Sequence, residues 1–459
     1  MLAHFVTPGG RAQEPAESPP STPAHDLTVT LVANGTLAGL ALVTGLLAAH
    51  LLGPTGEGEL AAIQTWPMVL ATLAMVGMPE ALTYYLARRP RLAKEYLGTA
   101  VGVALVAYAV VGAAAWLVMP WLLRSQPHQV LGAARVFLSV GVIYALVGIP
   151  HGALRGARRF TSWNLYRVVP GLAWLGILVG SGVAGHFDAV VLSRWYLVGL
   201  AVTGLPFLII VKRALRGSLR PRVAFAPKLV RFGLPSVLTT VPQTVNLRLD
   251  QLLIIAFLPS RPLGYYVVAV AWSGATAPLL AAVGSVLFPH VAGEPSPLQR
   301  ARMLGTALQG GAIVASSLAV LLAALAPFVL PLVFGKRFGP SVPSAMVLAP
   351  AGAILVWAGI AEEGLRGLGH PRAVLAAEGV GAVVTVAALP GLLAAWGILG
   401  AAVASLLGYS AVAVTVAVVI ARHTDERLRS LVVPTWPVAK GLVRKGVSLL
   451  RLPLHGAAG

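Results

Sequence analysis

The sequence predicts an all-α polytopic membrane protein of about twelve transmembrane helices in two similar halves. Three observations carry this. Of 459 residues, 57% are hydrophobic and only 11% charged, with a mean hydropathy of +0.82. A soluble domain needs roughly 25% charged residues to cover its surface. The apolar residues fall in repeated long runs, and a run of roughly 20 is what a helix needs to cross the hydrocarbon core. The basic residues gather in alternate connections between those runs. Glycine (50) and proline (34) are frequent. Within spans, small residues let helices pack closely and proline kinks are tolerated.

Residues 1–27 are different material. From Pro8 to Pro23 the chain is rich in Pro, Ala, Ser and Glu, with no apolar face. It reads as a disordered cytoplasmic tail. It lacks the basic n-region of a signal peptide. The spans follow at 28–50, 60–85, 96–123, 132–154, 163–185 and 189–211. A basic linker at 212–229 separates these from 230–258, 263–289, 303–333, 341–365, 371–391 and 395–421. The segment 371–391 is short and carries Glu378. The two six-helix bundles are therefore 28–211 and 230–421, and 422–459 is a second cytoplasmic tail. In that tail, from Trp436, the residues Ala439, Leu442, Val443, Gly446, Leu449 and Leu450 recur at helical spacing. Lys440, Arg444, Ser448 and Arg451 lie opposite, the pattern of an amphipathic helix resting on the cytoplasmic leaflet.

Orientation follows from Lys and Arg in the connections. With basic residues near a span end, such as Arg167, counted with the adjoining connection, the two tails and the even-numbered connections hold 27 of the 34 basic residues. The odd-numbered connections hold 6, and Arg248 lies within a span. Both termini are then cytoplasmic, in a multi-pass protein of the plasma membrane. The net charge of +19 is explained by topology and attraction to anionic lipid, without nucleic acid.

The chain also repeats itself. Gly56 matches Gly264 at an offset of 208, Trp66 matches Trp272 at 206, and Pro79 matches Pro289 at 210. Leu154-Arg155-Gly156 matches Leu365-Arg366-Gly367 at 211. Halves with an even number of helices have the same orientation. Their pseudo-twofold axis then runs along the membrane normal, with the substrate path between them.

Four stretches resemble polysaccharide flippases of the Wzx type, in the superfamily that also holds the MATE multidrug exporters and the lipid II flippase. They are LLGPTGEGELA, ALRGARRFTSWN, the long LVRFGLPSVLTTVPQTVNLRLDQLLIIAFLPSRPLGYYVVA, and VFGKRFGPS with GLRGLGHPR and WGILGAAVASLLGY. The third is the most specific, with Gly-Leu-Pro, Arg-x-Asp-Gln and Leu-Gly-Tyr-Tyr in order. The resemblance covers roughly 28–421. It implies two bundles around a central cavity that moves a polyprenyl-diphosphate-linked glycan from the cytoplasmic to the outer leaflet. A polysaccharide polymerase or glycosyltransferases are the implied partners.

Ionisable groups inside spans are costly and are functional candidates by default. Gln243, Asn246 and Asp250 form a polar stripe at helical spacing. Arg248 lies about 200° from Asp250 on an ideal helix, and Pro242 is placed to distort that geometry. One reading puts the stripe on the cavity, with Arg248 at its edge meeting diphosphate or sugar oxygens. The other is a structural ion pair between helices. Asn34 either faces the cavity from the other half or makes an interhelical hydrogen bond. Glu80, Glu362 and Glu363, at the cytoplasmic ends of their spans, are either gate residues pairing with Arg155 or Arg366, or solvated helix ends. Glu378, deeper, is a candidate for proton coupling. His151 and His290 read as interface residues.

The chain has no cysteine, which excludes disulfides, thiolate metal sites and a Cys nucleophile. It carries no G-x-x-x-x-G-K-[ST], H-E-x-x-H or G-x-S-x-G motif, so no enzyme, cofactor or metal is expected. Three other readings stay open. A MATE-like cation-coupled drug or metabolite exporter usually has an acid in its first span, and 28–50 has none. A membrane glycosyltransferase or polymerase typically needs a sizeable outer loop, and all are short here. A non-transporting scaffold would use the C-terminal amphipathic helix.

Overall fold

The computed structural model describes residues 23–185, 188–218, 220–276, 287, 291 and 293–424. Residues 1–22 of the N-terminal tail, His290, Pro289 and the amphipathic stretch after Trp436 lie outside them, while residues 23–27, expected in that disordered tail, are instead the start of the first helix.

The first helix, α1 (Pro23–Ala74), would be about 78 Å long if straight, more than twice the hydrocarbon core. It is bent at Gly53, whose φ of 64° and ψ of −177° are non-helical. Glycine reaches that positive φ without a Cβ clash, and Pro54 has no N–H to continue the ladder. The two limbs are thus the first two crossings. The second continues through a turn into α2 (Met78–Arg88). Then come α3 (Ala93–Leu122), a fourth crossing built from α4 (His128–Phe137), α5 (Val140–Ile143), a π-helical turn and α6 (Ile149–Gly156), then α7 (Phe160–Ala184) and α8 (Ala189–Ala214).

The second half begins with α9 (Ala226–Asn246) and α10 (Leu249–Phe257), a seventh crossing broken at Leu247 and Arg248. The eighth starts with α11 (Ser260–Ser273). Next are α12 (Pro297–Val333) and α13 (Val342–Gly367). The last helix, α14 (Pro371–Thr424), bends at Gly397 and makes two crossings. Among the described residues, 8 helical stretches are long and apolar enough to span. Two of these are the doubled helices; the broken seventh crossing and the eighth, much of which lies outside the described residues, are not counted, which brings the total to about twelve.

Strongly exposed apolar side chains such as Leu117, Val183, Phe328 and Leu332 form the lipid-facing surface. Trp116, Trp121, Trp195 and Trp396 are also exposed, all toward the end that carries few basic residues, where amphipathic rings suit a membrane interface. That end is called neutral below, and the opposite end basic.

The duplication is visible in the backbone. Helix α6 ends with Ala157 N–H donating to Ala153 O (2.9 Å), Arg158 to Arg155 O (3.1 Å) and Arg159 to Leu154 O (2.9 Å). Helix α13 ends with the same three bonds 211 residues on: Leu368 to Gly364 O (2.9 Å), Gly369 to Arg366 O (3.1 Å) and His370 to Leu365 O (2.9 Å). Arg158 (φ 57°) and Gly369 (φ 86°) take the same left-handed position. At the neutral end the halves cross glycine on glycine. A Cβ on Gly58 would stand 1.7 Å from Ser260 O, and one on Gly264 would stand 1.9 Å from Pro54 O. An offset of 206, that of the tryptophan match, carries Pro54 to Ser260 and Gly58 to Gly264 and so exchanges the two contacts. The equivalent of Gly264 is therefore Gly58, and the expected match with Gly56 is corrected. Gly56 instead faces Leu52 of its own helix.

Candidate functional site

The break in the seventh crossing sets the site. Arg248 has non-helical φ −120° and ψ −6° and caps the start of α10, its carbonyl accepting from the Leu252 N–H at 2.8 Å. Its guanidinium Nη1 donates to Gln251 Oε1 at 3.0 Å. Both side chains line a cavity of about 210 Å³ between the halves, with Glu57, Gln64 and Thr65 of α1 on the facing wall. Leu60, Met68, Val69 and Val267 make its apolar part.

Asp250 has a different place. It is 3% exposed and does not line that cavity. Its Oδ2 accepts from Tyr266 Oη (2.5 Å) and Ser405 Oγ (2.9 Å), and its Oδ1 from the Gln251 backbone N–H (2.7 Å). The carboxylate thus ties α10 to α11 and α14. Asn246, at the end of α9, is also buried, and its Nδ2 donates to Glu378 Oε2 at 3.0 Å. Glu378 also meets the side chain of Glu362, which is buried with it. Glu362 lies 3.7 Å from Arg366, which also bonds Glu363. The expected stripe therefore divides: Arg248 reaches the cavity, while Asn246 and Asp250 hold helices together. The side chain of Gln243 lies outside the described residues.

The first half has a polar cluster of its own. Arg167 Nη2 donates to Asn34 Oδ1 at 2.8 Å and Nη1 to Asn164 Oδ1 at 3.1 Å; Asn164 Nδ2 donates to Thr30 Oγ1 at 3.0 Å. The guanidinium sits 4.7 Å from the Trp163 ring. His151 bonds the Trp163 carbonyl at 3.0 Å and stacks on Tyr166 at 4.3 Å. Sequence reasoning placed Arg167 in a connection, but it lies in the second turn of α7. The signal was there: Phe160 to Arg167 contains no Gly or Pro to delay the helix. Glu80 is exposed in the first turn of α2, while Glu362 is buried within the second half.

Both ends of the interface are closed. At the neutral end, Ser125 Oγ donates to Ala256 O (2.8 Å), and Arg124 Nε to the same oxygen (3.2 Å). Gln126 Nε2 donates to Ile255 O (2.9 Å) and Leu258 O (2.8 Å), and Ser260 Oγ donates to Gln126 Oε1 (2.7 Å). These donors meet the last carbonyls of α10, which have no partner within the helix. At the basic end, Tyr84 stacks on Phe232 with ring centroids 4.3 Å apart. A Cβ on Gly77 would there stand 2.2 Å from Gly233 O.

This architecture is shared with known exporters. The lipid II flippase MurJ, in an inward closed conformation, matches with a TM-score of 0.72 over 94% of each chain at 11% identity. An inward-facing multidrug resistance MATE family transporter of the MOP superfamily matches with a TM-score of 0.68, over 88% of this chain and 98% of that one, at 17% identity. An outward-facing MATE transporter gives a TM-score of 0.58 over 89% and 98%, at 15% identity. No curated protein matches the chain by sequence. The family model described as polysaccharide biosynthesis protein matches residues 24–292, more than half of the sequence, and the chain belongs to that family.

Proposed function

We propose that this protein flips a polyprenyl-diphosphate-linked oligosaccharide from the inner to the outer leaflet of the bacterial plasma membrane. Both termini are cytoplasmic in this reading, so the basic end faces the cytoplasm, and the halves are 28–211 and 230–421. The observation that carries it is Arg248, held between the halves at the edge of a polar cavity. A guanidinium so placed suits the oxygens of a charged, hydroxylated headgroup. Arg167, bonded to Asn34, offers a second guanidinium on the first half. The contacts at Tyr84–Phe232 and at Gln126–Leu258 act as inner and outer gates that open in turn.

Chemistry on the substrate is not part of this reading, since the sequence carries none of the catalytic motifs sought. The Glu362–Glu378 pair is the coupling element. In this reading the pair takes up and releases a proton as the second half changes shape, and Asn246, bonded to Glu378, reports that state to the seventh crossing. Glu80 and Glu363, which lie nearer the basic end, help set the inner gate. Glycosyltransferases and a polysaccharide polymerase supply and use the substrate, and anionic lipid holds the basic end.

Replacing Arg248 tests the reading. Arg248→Ala lowers surface glycan at normal expression, and Arg248→Lys restores it only in part, because an ammonium cannot make the bidentate contact. Full export by Arg248→Ala removes this residue from the path.

A further inference from the structure

The cavity beside Arg248 has a polarity that suits one part of such a substrate and not another. Glu57 Oε2 and Gln64 Nε2 line it, and both are buried without a hydrogen-bond partner among the described residues. One is an acceptor and the other a donor. Buried polar atoms are normally satisfied, so two open ones on one wall of a cavity mark a place where a ligand or water completes the bonds. Thr65 spends its hydroxyl proton on Ala61 O at 2.7 Å, which leaves its oxygen as an acceptor. Arg248 uses Nη1 on Gln251 and keeps other donors.

Acceptors therefore alternate with donors, next to an apolar patch. A bare phosphate accepts only and has no hydrogen to offer the open Glu57 Oε2. A pyranose ring both donates and accepts through its hydroxyls and has apolar C–H faces. The volume of about 210 Å³ holds roughly seven waters at about 30 Å³ each, room for one sugar ring and not for an oligosaccharide.

We infer that this cavity is a single-sugar subsite, in which Glu57 and Gln64 bind the hydroxyls of one pyranose and Glu57 keeps phosphate out. The inference rests on the proposed flipping of a lipid-linked glycan. It deepens that reading by separating where the sugar sits from where the diphosphate sits.

The chain has no cysteine, so a reporter thiol has no background. Ala61→Cys places one on the cavity wall. The purified variant in nanodiscs is labelled with a maleimide, alone and with tens of millimolar glucose, galactose, mannose, N-acetylglucosamine or inorganic diphosphate. At least one of the sugars slows labelling by about threefold, the effect of roughly two-thirds occupancy, and diphosphate does not. Adding Glu57→Gln, which is isosteric, or Gln64→Ala abolishes the sugar effect. Glu57→Gln also lets diphosphate protect. Protection by diphosphate but by no sugar in the parent overturns the inference, as does the absence of protection by any probe. Sugar protection that survives both substitutions overturns it too. Surface glycan is measured separately in cells lacking the protein. If glycan is lost there while the labelling arms fail, only the subsite is wrong. Normal glycan in those cells refutes the flippase reading itself.

Discussion

Asn246 donates to Glu378 at 3.0 Å, and the matching bond in the other half, from Arg167 to Asn34 at 2.8 Å, carries the opposite charge. The asparagines are 212 residues apart and the charged partners 211. In each half an asparagine on the first crossing meets an ionisable group on the fifth. The duplicated fold thus preserves the contact while the charge has diverged, with a cation on one half and a protonatable pair on the other.

Glu378→Gln keeps an amide able to bond Asn246 and removes the carboxyl proposed to couple transport to protons. The variant should fold with wild-type melting behaviour, yet transport in vesicles should no longer respond to an imposed pH gradient. An unchanged response would assign Glu378 a purely structural part.

Asp250 should behave as a strut rather than a contact to substrate. Tyr266→Phe deletes one of its buried hydrogen bonds, which should cost about 1–2 kcal/mol. Thermal unfolding should shift down while export per folded molecule stays normal. Asp250→Ala leaves both Tyr266 and Ser405 without their acceptor and should lower the folded yield more steeply. If Tyr266→Phe instead cut export per molecule with no loss of stability, Asp250 would belong to the transport path.

Gly58 and Gly264 should tolerate nothing larger. With 1.7 Å between a new Cβ and Ser260 O, Gly58→Ala must push the halves apart at the neutral end. Export should fall about tenfold, a change of ~1.4 kcal/mol. Gly56→Ala meets only the Leu52 side chain, 2.9 Å away at its own Cβ, and should be milder. Equal effects at both glycines would count against the crossing as the outer hinge.

The spans and the repeat were legible because hydropathy and the Leu-Arg-Gly cap are local signals. The same three backbone bonds follow that tripeptide in both halves. The break at Leu247 and Arg248 was not legible, since Asn-Leu-Arg-Leu-Asp contains no residue that forces a helix to stop. Which of the two readings of Asp250 holds was not legible, because its partner Ser405 lies 155 residues away, beyond any spacing argument. Arg167 and Glu57 were passed over for one reason: a charge near the end of an apolar run reads as a connection. Here helices begin earlier than hydropathy suggests and carry both charges inside the protein.

The central claim is that the two halves rock about the site. The sequence suggested Glu80 and Glu362 as the pair to crosslink, but Glu362 is buried within its own half. Tyr84 and Phe232 do meet across the interface, with rings 4.3 Å apart at the basic end. Tyr84→Cys with Phe232→Cys, in a chain without other thiols, allows the halves to be joined there by a short reversible crosslinker. The account predicts that each single variant exports glycan, that the crosslinked pair exports none, and that reduction restores export. Crosslinked protein exporting at the normal rate would contradict alternating access and leave a fixed groove along the protein surface as the path.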